Sequence, residues 1–84
     1  MKNASEDLDL HGLTVEEAIP LVDTFLYESL KTGLHRVWVI HGRGTGALRR
    51  TVRYHLTNHP LVRSCTTAGK NHGGIGATQI ELAD

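Results

Sequence analysis

Apolar and polar positions along this chain fall into segments of different period. Leu8-Asp9-Leu10-His11-Gly12 alternates with a period of two, which predicts a half-buried strand with Asp9 and His11 on its polar face. Thr14-Val15-Glu16-Glu17 has the form of a capping box, with Thr14 as the N-cap. Val15, Ala18, Ile19, Val22, Leu26 and Leu30 then recur at helical spacing, and Gly33 closes the helix as its C′ residue. Pro20 falls inside this helix, where it removes one hydrogen bond and is expected to bend the first turns. Arg36 to His41 is a β-branched, nearly continuous apolar run, the pattern of a central buried strand. A glycine turn follows, Gly42-Arg43-Gly44-Thr45-Gly46. The second helix places Leu48, Val52 and Leu56 on one face and Arg49, Arg50 and Arg53 off it, and Asn58 and Pro60 stop it. Leu61 to Thr67 reads as a third strand and Ala68 to Gly76 as a glycine-rich loop. Thr78, Ile80 and Leu82 alternate with Gln79 and Glu81, as expected of an outer strand.

The order β-α-β-α-β-β predicts an α/β two-layer sandwich, with two helices on one face of a four-stranded mixed sheet. The first crossovers imply parallel pairing, and the last two strands a hairpin. Residues 1–6 are polar and expected to be flexible, leaving 7–84 as a single domain.

Composition narrows the function. The chain has 84 residues, too few for two ordinary domains. Its longest apolar run is Val37-Trp38-Val39-Ile40, far short of the ~20 residues a membrane helix needs. The one cysteine, Cys65, excludes a disulfide framework or a multi-cysteine zinc site within the chain and suits a reducing, cytoplasmic setting. Net charge is zero, but the charges are segregated. Residues 1–30 hold seven of nine acids, whereas residues 31–80 hold eight of nine bases and no acid. Such a block is a candidate phosphate-binding surface; pairing with the acids of residues 1–30 is the alternative. Four aromatics, two of them expected in the core, argue against a base-stacking platform.

Three segments carry candidate chemistry. On a strand, Asp9 and His11 leave the same face, where a carboxylate can orient an imidazole or share a metal with it. Mg²⁺ or Mn²⁺ against a substrate phosphate is compatible with this pair, and so is metal-free chemistry. His41-Gly42-Arg43-Gly44-Thr45-Gly46 lies where a strand meets a helix N-terminus, the edge at which open α/β sheets bind ligands. It is neither a Walker loop nor G-x-G-x-x-G, which argues against nucleotide binding and leaves anion binding or a structural turn. The third segment, Lys70-Asn71-His72-Gly73-Gly74-Ile75-Gly76, is long for a hairpin loop.

Together, Leu8-Asp9-Leu10-His11-Gly12, His41-Gly42-Arg43-Gly44-Thr45-Gly46-Ala47-Leu48-Arg49 and Gly73-Gly74-Ile75-Gly76-Ala77-Thr78 with Glu81-Leu82 resemble the Smr (small MutS-related) domain. The likeness runs from about residue 7 to 83, and the ending resembles the versions at the C-terminus of the second bacterial MutS paralogue. It implies a piece of a larger MutS-like ATPase and a fold similar to the C-terminal domain of translation initiation factor three. It also implies an endonuclease that nicks DNA and, in some members, cleaves RNA. By position, Asp9, His11 and Arg43 fall on the family's catalytic motif residues. His41, Gly42, Gly44, Thr45, Gly46, Arg49, Arg50, Arg53, Lys70 and His72 are the expected contacts to DNA or RNA phosphates. A non-catalytic nucleic-acid-binding module and a protein-interaction domain are the alternatives. Pro20 departs from the family's usual helix former.

Overall fold

A computed structural model describes residues 6–83. Residues 1–5, most of the segment expected to be flexible, lie outside the described residues. Glu6 is already tied in, its carbonyl accepting the Trp38 amide at 2.9 Å. The elements are β1 (Asp7–Asp9), α1 (Val15–Lys31), β2 (Arg36–Ile40), α2 (Ala47–Thr57), β3 (Val62–Thr67) and β4 (Ala77–Leu82). Two single 3₁₀ turns, Lys70–His72 and Gly74–Gly76, occupy the stretch expected to be loop.

The four strands form one sheet in the order β1-β2-β4-β3. β1 pairs parallel with β2, and β4 runs antiparallel to both β2 and β3. This corrects one expectation: β4 is an interior strand, and β3 takes the edge. Burial gives the reason. Thr78, Ile80 and Leu82 are all buried, and the alternate Gln79 and Glu81 are half-buried, so neither face of β4 is free. On β3, Arg63, Ser64, Thr66 and Thr67 are exposed.

Both helices cover one sheet face. The core gathers Leu10, Ala18, Val22 and Leu26 with Val37, Val39, Val52, Leu56, Ile80 and Leu82. The capping box forms as expected: Thr14 Oγ1 accepts from the Glu17 amide, and Glu17 Oε1 accepts from the Thr14 amide. α1 runs unbroken past Pro20, whose ring lies on an exposed position; the loss is confined to one amide donor. The opposite sheet face has no helix. By strand alternation it carries Asp7 and Asp9, Arg36, Trp38 and Ile40, Gln79 and Glu81, and Ser64 and Thr66. On it, Arg36 Nε donates to Glu81 Oε2 at 2.7 Å.

Candidate active site

The first strand ends sooner than the alternation suggests. β1 stops at Asp9, and Leu10 to Gly12 turn away over the end of β2, with the Leu10 amide donating to the Ile40 carbonyl. His11 therefore reaches Asp9 through a turn and not side by side along a strand. Its backbone amide donates to Asp9 Oδ1 at 3.0 Å, and its ring Nδ1 donates to the same oxygen at 2.6 Å. The His11 ring bond, followed by the amide bond, holds the Asp9 carboxyl below its usual range. An ionised Asp9 accepts the hydrogen bond from Nδ1–H, so the lone pair of the neutral ring lies on Nε2, the orientation a general base needs.

The glycine turn packs directly on this pair. A Cβ at Gly42 would sit 3.4 Å from the His11 Cβ, so the two segments are in close contact here. Gly42, with φ of 80°, and Gly46, with φ of 87°, both lie in the left-handed region. The third segment completes the assembly: the Gly76 carbonyl accepts the amides of both His41 and Gly42, at 3.0 and 2.9 Å. All three segments singled out in the sequence thus converge at one end of the sheet.

His41 lies beneath the loop and is buried. Its Nδ1 donates to the Gly42 carbonyl at 3.0 Å, and its Nε2 accepts from Thr78 Oγ1 at 2.9 Å. It holds the turn in place from beneath. Burial lowers its pKa, opposed by the Gly42 bond and assisted by the charges of Arg49 and Arg53. A lowered native value means that the unfolded chain takes up this proton first as the pH falls. The stabilising contribution is therefore present above the unfolded histidine value of about 6.5 and is lost on acidification below it. His41→Gln is expected to flatten the fall in melting temperature between pH 7 and 5. An unchanged slope in the variant would remove His41 as the source.

Gly46 caps α2 with no side-chain hydrogen bond, and the first turn holds no acid. A cavity of about 320 Å³ opens there, lined by Gly12 to Val15 and by His41 to Arg49. Arg43 is exposed on the turn, and Thr45 Oγ1 accepts the Ala47 amide at 3.3 Å. Arg49, Arg50 and Arg53 continue along α2 and line a second hollow with Tyr54, Thr57 and Thr67. Among the described residues, none of Arg43, Arg49, Arg50, Arg53 or Lys70 forms an ion pair. For these five, pairing with the N-terminal acids is not what the fold provides.

Two features had no clear signal in the sequence. His72 stacks on Trp38 with ring centroids 4.2 Å apart and 8° between planes. Far from the turn, Asp23 Oδ1 on α1 meets His55 Nε2 at 2.6 Å and His59 Nε2 at 3.1 Å. The four-residue spacing of the histidines was the only hint. These three groups are close enough for a metal ion. However, His59 Nδ1 accepts the Leu61 amide at 3.1 Å, which puts the His59 ring proton on Nε2, facing Asp23. A nitrogen carrying a proton is not a ligand, so the cluster acts as a clasp that ties α1 to the end of α2 and to the turn that follows it.

The Smr domain model matches residues 8–83. The chain is 48% identical over 80 residues to Endonuclease MutS2 of Brevibacillus brevis and 46% identical over 76 to that of Shouchella clausii, covering 95% and 90% of this chain. It spans only 10% of the length of either relative. Among solved structures it is similar to the Smr domain of Thermus thermophilus MutS2, with a TM-score of 0.90 and 40% identity over 94% of this chain and 99% of that one. It is also similar to YdaL, a stand-alone small MutS-related protein from Escherichia coli, with a TM-score of 0.88 and 33% identity over 94% of this chain and 65% of that one.

Proposed function

Because this chain belongs to the Smr domain family, we propose that it is the nucleic-acid endonuclease domain of a larger MutS2-type protein. One observation carries this reading: the 2.6 Å Asp9–His11 hydrogen bond set against a glycine turn that offers Arg43 and an uncapped helix N-terminus. In this reading His11 Nε2 accepts the proton of the attacking hydroxyl, from water or from a ribose 2′-OH, and Asp9 keeps the ring oriented. Arg43 and the amides at the start of α2 stabilise the charge that grows on the phosphate. Arg49, Arg50, Arg53 and Lys70 hold the flanking backbone. With Nδ1 of His11 bonded to Asp9 and Nε2 kept as the base, the protein donor that would hold an ion is the Asp9 carboxylate, whose Oδ1 takes both His11 bonds. Mg²⁺ or Mn²⁺ uses so sparse a protein donor set when substrate phosphates and waters complete its shell. Such an ion would further neutralise the phosphate.

The test uses the purified domain with supercoiled plasmid and with an RNA oligonucleotide, each with and without chelator. Nicked circles or cleaved RNA are expected. Salt-sensitive binding without any cleavage would leave only the docking module, and salt-insensitive behaviour would leave the protein-interaction domain.

Binding has its own expected signature. If about four to six phosphates are neutralised, log Kobs against log salt should slope near −4 to −5 on duplex DNA. Arg53→Ala should make that slope shallower by about one unit and leave sequence preference unchanged. A variant with the wild-type slope would show that Arg53 touches no phosphate.

A further inference from the structure

Of the four aromatic residues, only Phe25 joins the core; Tyr27 and Tyr54 are exposed, and Trp38 lies half-buried on the helix-free sheet face. The strand period puts Trp38 there, opposite in phase to the buried Val37 and Val39. One of its ring faces is covered by His72, which is itself exposed on a turn bounded by Gly69 and Gly73. The Trp38 indole N–H is buried and has no acceptor among the described residues. Buried indoles usually find one, so the ring is positioned by its faces and not by its polar tip.

Although four aromatics argue against an extended base-stacking platform, Trp38 stands outside the core with a histidine ring stacked on it, and we propose that this Trp38–His72 stack is a nucleobase platform. An unpaired base lies on the outer face of the His72 ring, with Trp38 behind it. The proposal rests on the endonuclease reading and names its substrate as nucleic acid with an unpaired base beside the scissile phosphate. Position supports this. Asp7 is registered against Trp38 and Asp9 against Ile40, so Asp9 stands two residues along the same face. That is about 6.6 Å along the strand direction, close enough for one nucleotide to reach from the stack to the Asp9–His11 pair. Lys70, exposed and without an ion pair among the described residues, stands two residues before His72 on the same turn and supplies a phosphate contact. Base pairing hides a base face inside a duplex, whereas stacking on an aromatic is indifferent to sequence and to sugar.

Trp38 is the only tryptophan, so fluorescence excited selectively at tryptophan, beyond the absorption of Tyr27 and Tyr54, reports on this stack. The domain is titrated with a single-stranded DNA oligonucleotide, an RNA of the same sequence, the same DNA as a duplex and an abasic version. Saturable quenching is expected with both single strands and not with the duplex or abasic strand. His72→Ala, an exposed position, should bind single strands about tenfold more weakly and lose far less affinity for the duplex. Equal quenching by all four ligands, or unchanged single-strand affinity in the variant, would overturn the platform. Plasmid nicking by the same preparations separates the two readings. Nicking without selective quenching removes the platform and keeps the endonuclease. Selective quenching without nicking or RNA cleavage does the reverse, and failure to bind any nucleic acid removes both.

Discussion

His11→Ala is expected to lower the cleavage rate by about 10²- to 10⁴-fold, the usual contribution of a positioned general base. The fold should survive, because His11 is an exposed turn residue whose ring partner is also exposed. Loss of the base is separable from loss of binding, since the proposed phosphate contacts lie away from His11, on the glycine turn, along α2 and at Lys70. A second expectation follows from the electrostatics. The His11 bonds depress the Asp9 carboxyl, so whatever Asp9 contributes to stability is present above the unfolded value of about 3.9 and lost only below it. Asp9 therefore stays charged throughout pH 5–8, and a rate limb in that window belongs to a histidine. The rate should rise with pH there, because a base must be neutral, and His11→Ala should abolish the rise. Asp9→Asn is expected to impair cleavage far more than folding. Wild-type cleavage by folded Asp9→Asn would exclude Asp9 from the mechanism, and a flat wild-type profile would exclude His11 as the base.

Much of this site was legible because its elements are local. The capping box, the Gly33 stop, the uncapped start of α2 and the glycine turn each follow from a few neighbouring residues and the backbone angles they permit. What was not legible depends on contacts distant in sequence. Strand alternation alone does not distinguish an edge strand from an interior one, so β4 was placed outside. Its interior position is set by Thr78, Ile80 and Leu82 packing under the helices while β2 and β3 flank it. Alternation also carried β1 too far. The side chain of Asp9 takes the His11 amide itself, an Asx-type turn that ends the strand and delivers the ring to the carboxylate. The Trp38–His72 stack joins residues 34 positions apart and becomes visible only when Gly76 ties the third segment to the glycine turn.

Arg43→Lys is expected to lower the cleavage rate at least about tenfold, roughly 1.4 kcal/mol in the barrier, with a smaller change in binding. Arg43 is exposed and has no ion pair among the described residues, so the fold gives it no stabilising partner. Yet its stem is not free. A Cβ at Gly76 would lie 3.7 Å from Arg43 Cγ, which places the side chain along the seam between the two glycine segments. Gly42 and Gly44, both at positive φ, bracket it and set the direction of its backbone. A guanidinium held this way presents a planar pair of donors beside the open amides of α2, matched to two oxygens of one phosphate. Lysine preserves the charge and so preserves most of the attraction to the substrate. It loses the fork, which matters most when charge accumulates on those oxygens in the transition state. Arg43→Ala, which removes both, should fall further, by about 10²- to 10³-fold. Equal losses of rate and affinity in Arg43→Lys would mean that Arg43 only holds substrate. No loss in either variant would make the turn purely structural, and Asp9 and His11 would then need another source of charge stabilisation.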